Sequence, residues 1–430
     1  VENRWLQEYQ PGVPADIDVR RYPSVAHMLE DSYAKFSDAT AFECGGASLR
    51  YSDVDRHTCD FAAYLQSLGL KKGDRVAVML PNVLQYPVAV FGILRAGLTV
   101  VNVNPLYTPH ELEYQLNDSG ASAIVILVNF VPTLDKVMAR TFLKHVVVAS
   151  PKDIVAMSGG HAVSTVIPGA VAFHETLANG RERKLQAADV EPGDIAFLQY
   201  TGGTTGKSKG AILLHRNIVA SLLQLQAWTA DVTKMENQCV VTPLPLYHIF
   251  ALANCLMYAS IGGKNVLITN PRDLPGLVEE LRKHRFDAFI GVNTLFNGLL
   301  ATPGFETIDF SSLKLVIGAG AAVQQAVAEN WQRITGAALT EAYGLTETSP
   351  GVASCPCIGR PGQDRSACPC DQRWCPCAMP TAKKSHLANE ENCASPARRL
   401  CRVTGNVTRK IPTPLPRMVT SKRATLRPWT

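Results

Sequence analysis

Over the first 350 positions, short apolar runs alternate with stripes of apolar residues at helical spacing. Residues 76–80 form a continuous apolar run of strand length, and apolar positions follow at helical spacing through Phe91 and Leu94 to Gly97. Residues 99–103 are a second, β-branched run. Thr108-Pro109-His110-Glu111 then opens a helix: Thr108 caps it, Pro109 suits the first turn, Glu111 reaches back, and Gly120 stops it. Residues 123–128 read as a third strand. Strand, helix, strand, helix, strand predicts a parallel sheet with right-handed crossovers.

The pattern returns later in the chain. Residues 265–269 read as a strand, 277–284 as a helix and 286–292 as a strand. Another strand at 313–317 ends on the small-residue turn 318–322. Val323, Val327, Trp331 and Ile334 then share one helical face, closed by Gly336. The bland account of these stripes is core packing, and it is the one adopted for all of them. Residues 152–184 show no sustained period and read as a loop. The expected fold is α/β: a large doubly wound domain of two αβ halves over 1–350. Residues 351–430 have no period of either kind and too little apolar surface to offset ordering entropy, so they read as a disordered tail without a domain.

Composition sharpens that break. The chain has 430 residues and a formal charge of +5, but 351–430 alone carries 14 Lys+Arg against 4 Asp+Glu, leaving the body at −5. A mildly acidic body argues against a nucleic-acid partner. The tail also holds 8 of the 12 cysteines and 10 of the 27 prolines. The best apolar run, 88–103, is interrupted by Arg95, so no membrane span is expected. No basic-then-apolar leader is readable from Val1 onward. These features predict a cytoplasmic protein able to touch a membrane peripherally.

The strongest local chemistry is Tyr200-Thr201-Gly202-Gly203-Thr204-Thr205-Gly206-Lys207-Ser208-Lys209-Gly210, after an apolar run and before a helical stretch. Glycines let the backbone approach an anion, hydroxyls and amides donate hydrogen bonds, and lysines add charge. A plain surface loop has no need of that density. The P-loop pattern G-x-x-x-x-G-K-[ST] fails, because the position five before Gly206 is Thr201.

Residues 200–210 resemble the phosphate-binding signature of the AMP-forming adenylate-forming enzymes, which include acyl-CoA synthetases. Tyr343-Gly344-Leu345-Thr346-Glu347-Thr348 resembles the second signature, Pro245-Leu246-Tyr247-His248-Ile249-Phe250 the carboxylate-pocket motif, and 318–322 the adenine turn. Residues 81–125, with Asn104-Pro105-Leu106-Tyr107-Thr108, are similar to bacterial long-chain fatty-acid–CoA ligases. The resemblance implies the large N-terminal domain of that fold, with ATP, Mg²⁺, coenzyme A and a long-chain fatty acid as its reactants. It also implies roles. Thr201, Gly202, Gly203, Thr204, Thr205, Gly206 and Lys209 would hold the phosphates, while Gly320, Ala321 and Tyr343 would surround the adenine. Thr346 would touch the α-phosphate and Glu347 would hold Mg²⁺. His248 would sit beside the fatty-acid carboxylate, and residues 291–296, among them Val292, Asn293 and Phe296, would wall the acyl tunnel. Ala322 stands where the family often has proline. Taken singly, His248 reads as a core histidine and Glu347 as a surface carboxylate; their order with the loop is what singles them out.

After Ser349-Pro350 the resemblance stops. The family continues with a β-rich subdomain, an aspartate in Thr-Gly-Asp, a hinge and a small domain bearing a late lysine. Here the nearest string is Thr404-Gly405-Asn406. The body is therefore expected to be a truncated domain followed by unrelated or frame-shifted sequence, with fatty-acid activation impaired or lost. Three rivals stay open: an acyl-AMP or aryl-CoA ligase, a non-catalytic nucleotide- and fatty-acid-binding remnant, and a metal-binding tail built on Cys355-Pro356-Cys357, Cys368-Pro369-Cys370 and Cys375-Pro376-Cys377. The tight Cys-x-Cys spacing argues against zinc.

Overall fold

A computed structural model describes residues 6, 9–151, 167–202, 208–233, 238–355 and 357. The chain opens with α1 (Val25–Lys35), the hairpin of β1 (Thr40–Cys44) and β2 (Ala47–Arg50), and α2 (Tyr51–Ser67). Then come β3 (Arg75–Met79), α3 (Gln85–Arg95), β4 (Thr99–Asn102), α4 (Pro109–Ser119), β5 (Ala123–Leu127), α5 (Val131–Asp135), β6 (His145–Ala149), β7 (Val171–Ala172) and α6 (Phe173–Arg181). The antiparallel pair β8 (Ile195–Thr201) and β9 (Lys209–Leu214) follows, then α7 (His215–Thr229), β10 (Cys239–Thr242), α8 (Ile249–Ser260), β11 (Lys264–Leu267) and α9 (Leu274–Arg282). Last are β12 (Ala288–Gly291), α10 (Asn293–Leu300), β13 (Leu315–Gly318), α11 (Gln325–Thr335), β14 (Leu339–Gly344) and β15 (Gly351–Ser354).

The strands form two sheets, ordered β7-β6-β5-β3-β4-β8-β9 and β15-β14-β13-β12-β10-β11-β1-β2. All pairings are parallel except β8–β9, β14–β15 and β1–β2. Successive side chains of a strand point to opposite faces, and here both faces are buried, so the runs are apolar at every position instead of alternating. In β3, Val76 and Val78 enter the central core while Ala77 and Met79 face α4; in β13, Leu315 and Ile317 point inward while Val316 meets the outer core. The central core is shared by both sheets with α1, α2, α3, α7 and α8 between them. Helices α4 and α5 cover one outer face, and α9, α10 and α11 the other. Arg95, at the end of α3, ties the middle layer together by bonds to Glu30 of α1 (3.0 Å) and Asp55 of α2 (2.7 Å).

The α/β class and the two-halved architecture hold. The Thr108 cap forms as read, with its hydroxyl accepting from Glu111 N and the Glu111 carboxylate accepting from Thr108 N at 2.8 Å, and Gly120 ends α4 at φ 61°. Three details differ. Strands β1 and β2, from residues 40–50, belong to the second sheet, so the halves are not contiguous in sequence. The loop read at 152–184 contains β7 and α6, whose apolar residues Phe173 and Leu177 are too few to make a visible stripe; residues 152–166 lie outside the described set. Organised structure also continues past 350: β15 pairs with β14, and Cys357 is buried against the central core. Most of the expected tail lies outside the described residues. Among the described residues, no helix is long and apolar enough to cross a membrane.

Close packing of α6 on α2 rests on Gly180, where an added Cβ would stand 1.8 Å from the Asp60 carbonyl oxygen. Gly180→Ala should lower stability by about 3 kcal/mol through helix displacement. Gly193→Ala, which meets nothing within 4 Å, should leave the urea midpoint within about 0.5 kcal/mol of the parent.

Candidate active site

The glycine- and threonine-rich segment is the tip of the β8–β9 hairpin, with Thr201 opposite Lys209 and Tyr200 opposite Gly210. The sequence suggested a turn from strand into helix; instead β9 intervenes, and α7 begins only at His215. A strand therefore separates the segment from the N-terminus of α7. The segment's base is braced from both sides. Ser208 Oγ donates to the Thr201 carbonyl (2.8 Å), and Tyr114 of α4 donates to the Ser208 carbonyl (3.1 Å). One turn further along α4, Asp118 accepts from the Tyr200 hydroxyl (2.7 Å). Burial, with the Asp118 carboxylate beside it, drives the Tyr200 phenol far above the ordinary tyrosine range, so it stays a donor. The assignments to Gly203, Thr204, Thr205 and Gly206 lie outside the described residues.

The second signature meets the first across the molecule. The single 3-10 turn Thr346–Thr348 packs against β9. Gly344 has to be glycine here, since a Cβ would lie 1.9 Å from the Pro350 carbonyl oxygen. Thr346 and Glu347 are half-buried, and the Glu347 carboxylate makes no hydrogen bond or ion pair with a described residue. Tyr343 is 44% exposed. The turn after β13 brings Gly320 (φ 80°) beside Val292 and leaves Gly320 and Ala321 exposed. Asn293 Oδ1 accepts from Gln324 N (2.9 Å), fixing the start of α11. The carboxyl ends of β12, β13 and β14 thus form one rim.

The turn bearing His248 is held by residues that the sequence did not single out. Asn82, just after β3, donates to the carbonyls of Thr242 (3.0 Å) and Leu244 (2.9 Å) and accepts from Leu246 N (2.8 Å). The Tyr86 hydroxyl reaches the Leu246 carbonyl (2.7 Å) and Asn102 Oδ1 (2.7 Å). Asn102 Nδ2 donates to Gln199 Oε1 (3.0 Å), and Gln199 Nε2 donates to the Tyr247 carbonyl. All four side chains are buried. Tyr107 adds its hydroxyl next to Ser208 at the edge of the β8–β9 hairpin. The only hint in the sequence was the position of these polar residues at or just beyond the ends of apolar runs.

His248 is exposed, its ring 4.6 Å from that of Tyr247. Surrounding atoms still desolvate it enough to lower its pKa below 6.5. At pH 7 it is a neutral imidazole that can donate one hydrogen bond to a carboxylate. Thr201, Gly202, Lys209, His248, Val292, Asn293, Gly320, Ala321, Tyr343, Thr346 and Glu347 therefore all stand at strand ends around the junction of the two sheets. Phe296 does not. It is fully buried in the outer core, 4.8 Å from Trp331, and it underlies Gly291, where a Cβ would come 2.7 Å from its ring. Its place is beneath the rim.

Two measurements check this geometry. Asn82→Leu orphans the Leu244 carbonyl and the Leu246 amide, leaves the Thr242 carbonyl only Ile268 N, and should cost about 2–4 kcal/mol in urea unfolding. The His248 ring should titrate below pH 6.5 by NMR, staying neutral from pH 7 upward.

The model of the family described as AMP-binding enzyme matches residues 29–378, running past the Pro350 boundary. A long-chain-fatty-acid–CoA ligase of Escherichia coli O157:H7 is 52% identical over 363 residues, which is 81% of this chain and 65% of that protein. One from Bacillus subtilis (strain 168) is 34% identical over 358 residues, covering 80% of this chain and 64% of the relative. The chain thus spans just under two thirds of the length of these curated relatives. Among solved structures, an anthranilate CoA ligase in complex with anthranoyl-AMP has a TM-score of 0.71 at 23% identity, covering 81% of this chain and 65% of that one. A long-chain-fatty-acid-CoA ligase from Archaeoglobus fulgidus has a TM-score of 0.68 at 24% identity, covering 81% and 68%. At those identities the likeness shows the fold.

Proposed function

The chain belongs to the AMP-binding enzyme family, and we propose that its chemistry is the ATP-dependent activation of a long-chain fatty acid, first to an acyl-adenylate and then to acyl-CoA. The observation that carries this reading is the meeting of three motifs, distant in sequence, at one junction: the base of the phosphate hairpin, the 346–348 turn packed on β9, and the His248 turn tied to β8. The relatives named long-chain-fatty-acid–CoA ligase support the choice of acid.

In this reading, a carboxylate oxygen of the fatty acid attacks the α-phosphorus of ATP. The bond to the bridging oxygen breaks, and pyrophosphate leaves with the electron pair. The thiolate of coenzyme A then attacks the acyl carbonyl and expels AMP. Both partners of the first step are anions, so the protein's task is positioning and charge neutralisation. Lys209, exposed at the start of β9, supplies a cation beside the phosphates. The neutral His248 ring donates to the acyl carboxylate without trapping it as a fixed ion pair. Glu347 suits a magnesium ion, because Mg²⁺ usually takes one or two protein carboxylates and fills its remaining positions with phosphate oxygens and water. Its carboxylate has no hydrogen bond or ion pair among the described residues, is half-buried and lies next to β9. Magnesium bound there would neutralise polyphosphate charge. Gly320, Ala321 and Tyr343 would enclose the adenine. This chemistry belongs in the cytoplasm, with peripheral contact at the inner face of the membrane from which the acid is drawn.

The test is pyrophosphate exchange into ATP across a panel of acids. Exchange stimulated by palmitate over benzoate supports the reading; stimulation by aromatic acids alone would replace it with an aryl-acid ligase. Glu347→Gln should lower ATP affinity about tenfold in the presence of Mg²⁺ and leave magnesium-free nucleotide binding unchanged, as measured by calorimetry.

A further inference from the structure

Gln199 sits two residues before Thr201 on the strand that leads into the phosphate hairpin, and its amide reaches the carbonyl of the residue next to His248. We propose that Gln199 is a positioning residue that sets the separation between the phosphate-holding strand and the carboxylate-binding turn, acting through the Tyr247 carbonyl. This rests on the functional reading above.

Hydrogen-bonding chemistry leaves the relay one orientation. A backbone carbonyl only accepts, so the Gln199 amide nitrogen must face Tyr247 O. Its Oε1 must then face Asn102, which presents Nδ2 at 3.0 Å, leaving Asn102 Oδ1 for the Tyr86 hydroxyl at 2.7 Å. Tyr86 also faces the Leu246 carbonyl at 2.7 Å, so one hydroxyl proton is shared between two acceptors. Burial raises the Tyr86 phenol well above its ordinary range, so that proton is always present. The relay leaves the 242–248 turn at Leu246 and returns to it at Tyr247, passing through β4 and β8 on the way. Neither amide can flip without setting two acceptors face to face. Asn102 is anchored further by its own carbonyl, which accepts from Gln115 of α4 (2.7 Å). Helix α4 also braces the phosphate hairpin through Tyr114 and Asp118. One rigid unit therefore holds both the phosphate strand and the His248 turn.

A residue that only fills space affects every ligand alike. A residue that sets separation affects most the ligand that occupies both half-sites at once, because the benefit of joining two halves depends on their relative placement. The experiment uses the full chain, with ATP–Mg²⁺, palmitate and a non-hydrolysable palmitoyl-sulfamoyl adenosine as separate calorimetric probes. Gln199→Leu should bind ATP–Mg²⁺ and palmitate within about twofold of the parent, and the joined analogue about tenfold or more weakly. Gln199→Glu preserves shape and becomes a donor only when protonated. Its affinity for the joined analogue should recover as pH falls from about 8 to about 5.5, while Gln199→Leu stays flat over that range. Unchanged affinity for the joined analogue in both variants, or an equal loss for all three probes, overturns the assignment of Gln199. Failure of the parent chain to bind the joined analogue overturns the functional reading instead, and this assignment with it.

Discussion

The site depends on a buried polar clamp between the two sheets. Chain order reverses around β3 in the first sheet, with β4 on one side and β5 on the other, and around β10 in the second, between β11 and β12. In open α/β sheets such reversals create a crevice at the carboxyl ends of the strands, where ligands bind. Here the two crevices face each other. Asn82 and Tyr86 follow β3, residues 242–248 follow β10, and the first group satisfies the backbone of the second. Without these side chains, a buried turn would carry orphan carbonyls and an orphan amide, which a protein interior penalises heavily.

The clamp is made of amides and a phenol, and that choice of chemistry matters for the site it supports. A carboxylate in place of Asn82, Tyr86 or Gln199 would face a backbone carbonyl, and at any of the four positions it would repel the two anions the site is proposed to receive. A lysine would hold one of those anions in a fixed pair and would itself be costly to bury. Uncharged groups give rigidity without adding to the field in the pocket. The charged side chains nearby are the less buried ones, exposed Lys209 and half-buried Glu347. The hairpin form of the phosphate loop fits the same division. The helix that follows in the chain begins only at His215, and the described base of the hairpin is held from the side by α4 through Tyr114 and Asp118.

What the sequence revealed, and what it concealed, divides along physical lines. Strands buried on both faces read as apolar runs, and α4 was legible to the residue because Thr108, Pro109, Glu111 and Gly120 each act locally. The residues proposed to face the ligands were legible because they cluster in short motifs. The clamp was not, because Asn82, Asn102 and Gln199 are isolated polar residues whose bonds across the site reach partners between 48 and 164 positions away. Helix α6 was hidden for a different reason: it is nine residues long and buries only one short edge. The placement of β1 and β2 in the second sheet depends on Phe42 and Glu43 pairing with Asn265 and Val266, a contact with no local signature.

The residues just beyond Pro350 also belong to the frame of the site. Strand β15 runs antiparallel to β14, with a register shift at Tyr343 and Gly344. That shift brings the Pro350 carbonyl against Gly344, where it also accepts from Leu345 N (3.1 Å) and from the Thr348 hydroxyl (2.6 Å). The turn carrying Thr346 and Glu347 is therefore closed by the chain that returns after it. The return is tied down in turn, since Cys355 N donates to the Glu341 carbonyl (2.9 Å) and Trp228 Nε1 donates to the Cys355 carbonyl (3.1 Å). Glu341 in the same strand has its carboxylate 3.5 Å from Val323 N, at the turn proposed to meet the adenine. A composition break near 350 thus does not mark a structural boundary: the position of Glu347 is set by backbone bonds from both sides of it.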